Sequence, residues 1–237
     1  MKELPNECID LIIADPPYNI GKDKGAGWDI INDYLNIFEQ WVKEWKKVLS
    51  KDGLLYCYCS QIFQADIEII LRKYFIVQNR IIWNYNNGQR QATKRFSYSY
   101  EPIFMVSNNN NNNNFTPVRD SNNIQKGIRK KHNKNGTITI TEPNPNGIKF
   151  TDVWNIPKLS GNRKQTKHPT EKPTELSNRM IKSLKDINLI YIPFAGSGSE
   201  IISCINNNRN YIATEINNTY IEDIIIPRIK KEINDRL

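Results

Sequence analysis

Short apolar runs closed off by Gly, Pro, Asn or Asp alternate along the chain with longer stretches whose apolar residues recur every three to four positions. The first pattern predicts buried strands and the second amphipathic helices. Their alternation predicts an α/β fold with a mostly parallel sheet flanked by helices. The predicted strands are Ile9–Ala14, Leu54–Cys59, Asn79–Trp83, Ile103–Val106, Leu189–Ile192 and Tyr211–Thr214. Between the first two, Tyr34, Phe38, Trp41, Trp45, Val48 and Leu49 mark a helix from Asp33 to Leu49, capped by Asn32 and stopped at Gly53. At that spacing Trp41 and Trp45 read as core and not as a platform for a ligand. Further helices are predicted at Gln61–Lys73, Glu175–Lys185, Ser199–Asn206 and Thr219–Leu237, the last bent at Pro227.

The pattern lapses in the middle. Seven asparagines, Asn108–Asn114, open a stretch rich in Pro, Gly, Asn and charge, with few apolar residues before Phe150–Ile156. This predicts a loop-rich insertion, residues 107–166, set into one domain built from 1–106 and 167–237. Within it Arg119, Lys126, Arg129, Lys130, Lys131 and Lys134 face only Asp120. A solvated loop would account for that run on its own. A net charge of +8 and a pI of 9.2 allow a polyanionic partner as well, although A/T-rich codons also favour the Asn, Ile and Lys in which the chain abounds. Cys8, Cys57, Cys59 and Cys204 lack zinc-site spacing and read as reduced thiols in or near the core. No run reaches the ~18 apolar residues of a spanning helix, and the first residues lack the apolar stretch of a signal peptide, so a cytoplasmic protein is expected.

Two segments carry chemistry. In Leu189–Ser199 a strand turns through Gly196-Ser197-Gly198 into a helix, which lets a ligand approach the backbone and face helical N–H groups. Glu215 closes the next strand 19 positions after Gly196, about where a carboxylate that holds ribose hydroxyls is expected. The third glycine of a dinucleotide fingerprint would fall at Ile201, so a nucleoside cofactor without phosphates, such as S-adenosylmethionine, fits better than NAD. The other segment is Asp15-Pro16-Pro17-Tyr18-Asn19-Ile20. An apolar strand delivers Asp15 to its end, and the two prolines fix the backbone and withhold N–H donors. The result is a cluster of acceptors suited to an amino group, with Tyr18 as an aromatic face on which a planar base stacks.

These residues resemble the DNA amino-methyltransferases, specifically the β group, in which Asp-Pro-Pro-Tyr precedes the cofactor motif. Phe194-Ala195-Gly196-Ser197-Gly198 and Lys167-His168-Pro169-Thr170-Glu171-Lys172-Pro173 resemble the family's cofactor segments, and Phe96–Glu101 another of its blocks. The resemblance covers the chain except Asn108 to about Ile148, where the family places its target-recognition region. It implies a Rossmann-like S-adenosylmethionine-dependent methyltransferase fold with circularly permuted motif order. It further implies catalytic Asp15, Pro16, Pro17 and Tyr18. Cofactor contacts are implied from Asp15, His168, Thr170, Lys172, Phe194, Ala195, Gly196, Ser197, Gly198 and Glu215. His168 is given no proton-transfer role and His132 no role. Double-stranded DNA is the implied substrate, met by Arg119, Lys126, Arg129, Lys130, Lys131 and Lys134. A homodimer and a cognate restriction endonuclease are further implied partners, with no metal.

The implied reaction is methyl transfer to adenine N6 of a flipped base. Cytosine N4 is the nearest rival, although that group more usually has Ser at the position of Asp15. RNA or protein-amide methylation, an inactive DNA-binding relic and a NAD-dependent oxidoreductase are more distant alternatives. Gly21–Trp28 reads as a lid loop beside the catalytic turn. The chain departs from the family pattern at Ile192, usually Asp, and at Tyr100, often His. It also starts only nine residues before Asp10, where relatives carry a further strand and an acidic residue. A shortened N-terminus and weak activity are the expectation.

Overall fold

The computed structural model of the chain describes residues 4–21, 29–85, 93–110, 114–125 and 127–236. Strand β1 (Ile9–Ala14) leads to helix α1 (Tyr34–Val48), β2 (Leu49–Tyr58), α2 (Gln64–Tyr74), β3 (Ile76–Asn84) and β4 (Tyr100–Ser107). The segment expected as an insertion follows, with β5 (Arg119–Asp120), β6 (Arg129–His132), β7 (Ile138–Thr141), β8 (Ile148–Lys149) and β9 (Val153–Asn155). Then come α3 (Thr174–Lys182), β10 (Leu189–Ile192), α4 (Ser199–Asn206), β11 (Asn210–Ala213), α5 (Asn218–Tyr220), a π-turn at Ile221–Ile225, and α6 (Ile226–Asn234).

Seven strands form one sheet in the order β11-β10-β1-β2-β4-β3-β9. Of these only β4 runs against the others. Side-chain alternation feeds two cores. On one face Leu11, Ile13, Leu54, Tyr56 and Ile190 pack with Leu176 and Met180 of α3 and Ile201 and Cys204 of α4. On the other, Ile12, Ala14, Leu55 and Cys57 pack with Phe38, Val42 and Trp45 of α1 and Ile67 and Leu71 of α2. Fully burying side chains such as Phe38 or Trp45 contributes on the order of 1.5–3 kcal/mol each. The architecture is therefore the expected α/β sandwich, and β1 and β10, far apart in sequence, lie side by side at its centre.

Several boundaries differ from expectation. The residue flanking α1 is Asp33, in left-handed backbone at φ 55°, and it makes no side-chain cap bond to the helix; Asn32 lies outside. The carboxylate of Asp33 instead accepts from the Asn36 side chain. The helix ends at Val48 and runs straight into β2, five residues before Gly53. Gly53 serves β2 itself. The β1–β2 register shifts there, and a Cβ at Gly53 would sit 3.0 Å from the Asp10 carbonyl and 2.8 Å from Leu49 Cδ1. The insertion also gives a strand to the main sheet. Residues Val153–Asn155 pair with β3 along its outer edge, burying Trp154, while the Trp83 indole donates to the Ile156 carbonyl at 2.7 Å. An edge strand with Val153 and Asn155 exposed has little apolar signature. Pro227 falls in the first turn of α6, where its missing N–H is tolerated. Cys57, Cys59 and Cys204 are buried and all four cysteines are free; burial pushes the Cys204 thiol up to about 12. No helix among the described residues is long and apolar enough to cross a membrane.

Candidate active site

Because β1, β10 and β11 are parallel, their carboxyl ends meet at one edge of the sheet, and the reversed β4 brings its amino end, Tyr100-Glu101, to the same edge. A cavity of about 680 Å³ opens there. This is where open α/β sheets bind ligands. Of the residues expected at the site, Asp15, Pro16, Pro17, Tyr18, His168, Thr170, Lys172, Phe194, Ala195, Gly196, Ser197 and Glu215 all line it.

Gly198 does not. At φ 76° it turns the chain into α4, and a Cβ on it would meet Ile225 at 3.5 Å, so its place is in the turn and the packing beneath the cavity. Gly196, at φ 49°, lies against the His168 ring, 3.3 Å from where a Cβ would stand. Burial, with Lys172 and Lys164 nearby, lowers the His168 pKa to about 4, so the imidazole is neutral at neutral pH. Its Nδ1 accepts the Thr170 N–H at 3.3 Å and its ring meets Tyr220 edge-on. Glu215 does structural work as well as lining the wall. One carboxylate oxygen accepts the Gly196 N–H at 2.7 Å and the other the Asn217 N–H at 2.9 Å. From the far side Arg228 of α6 donates to the Ser197 carbonyl at 2.9 Å, Ser199 Oγ at 3.1 Å and Gln165 Oε1 at 2.7 Å.

Around Asp15 the structure shows a compact polar cluster. Asp15 Oδ1 accepts the Tyr18 hydroxyl at 2.8 Å, and Oδ2 receives the Lys172 ammonium at 2.6 Å. Glu101 Oε2 accepts the same Tyr18 hydroxyl at 3.2 Å and lies 3.6 Å from Lys172, while its Oε1 receives Lys158 at 2.7 Å. Lys172 is thus a buried counter-ion of Asp15, a contact that its place in the Lys167–Pro173 segment did not foretell. Burial alone would push its ammonium down; Asp15 and Glu101 hold it above its usual range. Burial, reinforced by the charges of Asp15 and Glu101, raises the Tyr18 phenol well above 10, so it remains a donor. Tyr18 is only 7% exposed, with Lys172 5.2 Å from its ring centre, and so offers less open ring than the stacking platform expected from the sequence.

Sequence reasoning missed Asp29. Buried beside the turn, its carboxylate accepts the N–H groups of Tyr18 (2.7 Å), Asn19 (2.9 Å) and Ile20 (3.2 Å), fixing the backbone after the prolines. Nothing in its local sequence marks it. Glu200, also missed, lines the cavity from the first turn of α4, and burial, with Asp15 next, pushes its pKa up to about 7. Trp45 is core as expected, but Trp41 lies on the flank of α1, lines the cavity and packs on Phe194 at 5.0 Å. Tyr220 and Lys158 also line the cavity.

Of the basic residues in the insertion, Arg129, Lys130 and Lys131 stand on the exposed β6–β7 hairpin, with Lys134 exposed in its turn. Arg119 is drawn inward and donates to the Gly147 carbonyl at 2.7 Å. Lys126 lies outside the described residues, as does the expected lid apart from Gly21. Among the described residues no cluster suited to a metal ion occurs.

The fold and this site can be set beside known proteins. The profile of the N6/N4 DNA methylases, described as DNA methylase, matches residues 9–226. The chain is 32% identical over 232 residues to the DNA adenine methyltransferase YhdJ of Escherichia coli K12, covering 94% of this chain and 76% of that protein. It is 30% identical over 247 residues to the type II methyltransferase M1.MboII of Moraxella bovis, covering 99% of this chain and 94% of the relative. Among solved structures, the M1.HpyAVI–SAM complex superposes with a TM-score of 0.60 at 20% identity, covering 98% of this chain and 90% of that one. With a match spanning both the Asp15–Tyr18 turn and the Gly196 loop, the chain belongs to the N6/N4 DNA methylase family.

Proposed function

We propose that the chain is a site-specific adenine-N6 methyltransferase of double-stranded DNA that uses S-adenosylmethionine. The observation that carries this reading is the meeting, in one cavity, of the Asp15-Pro16-Pro17-Tyr18 turn and the Phe194–Ser197 loop tied to Glu215. The cavity's charge suits the cofactor. Asp15, Asp29, Glu101, Glu171, Glu200 and Glu215 line it against Lys158 and Lys172, a balance that favours a cationic ligand over a pyrophosphate. Glu215, the Gly196 loop, His168 and Thr170 would hold S-adenosylmethionine, which supplies an electrophilic methyl group on a positively charged sulfur.

The chain's own residues prepare the nucleophile. Asp15 and the Pro16 carbonyl accept the two hydrogens of the exocyclic amino group, which draws the nitrogen toward a tetrahedral geometry with a localised lone pair. Pro16, Pro17 and the Asp29 cage hold these acceptors in place, so orientation is supplied before the base arrives. Arg129, Lys130, Lys131 and Lys134 would engage DNA phosphates. Asp15 at the head of the turn supports adenine over cytosine, as does the similarity to an enzyme named for adenine. A role in a restriction-modification system accords with the type II relative, with a cognate endonuclease as partner and the cytoplasm as its place of work.

Expression in a methylation-free host followed by digestion of its DNA to nucleosides tests this directly. N6-methyladenine is the expected new product. N4-methylcytosine in its place would overturn the base assignment, and unmodified DNA would overturn the function.

A further inference from the structure

The acceptor expected to receive the target amino group is already engaged. Asp15 gives one oxygen to the Tyr18 hydroxyl and the other to the Lys172 ammonium, at 2.8 and 2.6 Å. A carboxylate has lone pairs to spare, but the Lys172 ammonium, 2.6 Å from Oδ2, already fills one position from which an N–H donor can reach that oxygen. The same two donors share a second acceptor. Glu101 Oε2 is 3.2 Å from the Tyr18 hydroxyl and 3.6 Å from Lys172 Nζ. A movement of about 1 Å by the end of a four-carbon side chain brings that ammonium into full hydrogen-bond distance of Glu101. Both carboxylates and Lys172 are held in a largely dry setting, with side-chain exposures of 19% for Asp15, 5% for Glu101 and 8% for Lys172. Lys158, bonded to Glu101 Oε1 at 2.7 Å, offsets the second negative charge. Asp15, Glu101, Lys158 and Lys172 carry no net charge between them, and shifting Lys172 from one carboxylate to the other leaves that sum unchanged.

Building on the methyltransferase reading, we propose that Glu101 is a positioning residue that takes over Lys172 and the Tyr18 hydroxyl from Asp15 when the target amino group enters. In the free protein the Lys172 ammonium stands in for the substrate's amino group and keeps the buried Asp15 paired. On base entry it moves to Glu101, and Asp15 accepts the amino N–H. The handover involves no proton transfer and no covalent step. It exchanges one N–H donor on Asp15 for another, and because the shift is only about 1 Å the Lys172 ammonium stays close enough to offset the Asp15 charge while the amino N–H takes its hydrogen-bonding place. A base that cannot offer an amino group gives Asp15 nothing in return for Lys172, so the exchange also selects for the amino group.

The test compares wild type, Glu101→Gln and the double variant Glu101→Gln/Lys172→Met. The target site is first located by sequencing modified DNA from a host expressing the wild type. Two duplexes are then made, one with the natural target base and one with its amino group replaced by hydrogen. Three quantities are measured: cofactor-free binding of each duplex by fluorescence anisotropy, S-adenosylmethionine affinity by calorimetry, and kcat. Glu101→Gln should leave Lys172 fixed on Asp15. It should lose the preference for the amino-bearing duplex and lower kcat about ten- to a hundredfold, the worth of one charge-assisted hydrogen bond, with cofactor affinity within about twofold. The double variant, which has no cation to relocate, should regain the preference for the amino-bearing duplex even if its kcat stays low, with thermal melts confirming that it folds. A glutamate needed only to hold the fold would give a double variant no better than the single one. That result, or a Glu101→Gln protein with wild-type rate and preference, overturns the handover. Failure of the wild type to modify host DNA would instead overturn the functional reading on which it rests.

Discussion

Replacing Glu215 with Gln changes one oxygen to an NH2 group and preserves shape. If the carboxylate served only ribose hydroxyls, each able to donate or accept, the amide would be a tolerable substitute. The structure argues otherwise, because each oxygen already receives a backbone N–H, from Gly196 at 2.7 Å and from Asn217 at 2.9 Å. An amide has one acceptor, so either orientation sets an N–H against an N–H. One charge-assisted hydrogen bond is lost, worth about 1.5–3 kcal/mol, and the Gly196 loop or the Asn217 turn must shift. Since the loop is a wall of the proposed cofactor site, S-adenosylmethionine affinity should fall by roughly ten- to 150-fold. Glu215→Ala should be about as damaging as Glu215→Gln. Calorimetric titration of the three proteins, with urea melts to confirm folding, decides the matter. A Glu215→Gln protein that binds the cofactor like wild type would refute the account of the two oxygens.

Asp15→Ala should abolish methyl transfer while leaving cofactor affinity within a few-fold, measured by transfer assay and calorimetry on one preparation. Gly196→Ala should weaken cofactor binding in calorimetry, because left-handed backbone costs an L-residue about 1–2 kcal/mol and the new Cβ presses on His168 at 3.3 Å. Neutralising Arg129, Lys130 and Lys131 together should flatten the log–log salt dependence of DNA binding by about 0.9 per lost phosphate contact; an unchanged slope would return the hairpin to solvent. For Glu200, a folded pKa of about 7 against 4.5 means that the folded chain holds a proton the unfolded chain releases, so this group lowers stability as pH rises between those values. Glu200→Gln should remove that loss, by at most about 3 kcal/mol at neutral pH, in melts of both proteins at pH 4.5 and 7.5.

Much of the framework was legible in the sequence. Buried central strands carry their own signal, and Ile9–Ala14 and Leu189–Ile192 coincide residue for residue with β1 and β10. Edges and irregularities carry less: β9 is three residues with one buried side chain, and the start of β2 is obscured by the polar Ser50–Gly53 segment where the register shifts. Motif spacing led to Asp15, the Gly196 loop and Glu215, because each sits at a strand end in its own segment. Glu200 and the partners of Lys172 were not legible, since their roles come from the approach of segments distant in sequence, whereas Asp29 lies only 9 to 11 positions from the N–H groups it accepts but carries no motif or periodicity that marks it. Lys172 and Asp15 are 157 positions apart.

The pairing of Leu11 with Ile190 also bears on the order in which the protein forms. On one side β1 joins β2 after a single helix; on the other it waits for β10, most of the chain later. Closing so long a span costs loop entropy before any contact repays it, so pairings of this kind form late. On a ribosome, the segment from β1 to β4 emerges and can pack α1 and α2 while the Gly196 loop has yet to be made. Asp15 therefore lacks the Gly196 loop beside it until β10 has emerged and docked against β1. Pulse-labelled hydrogen exchange during refolding should find the β2 amides protected before those of β10.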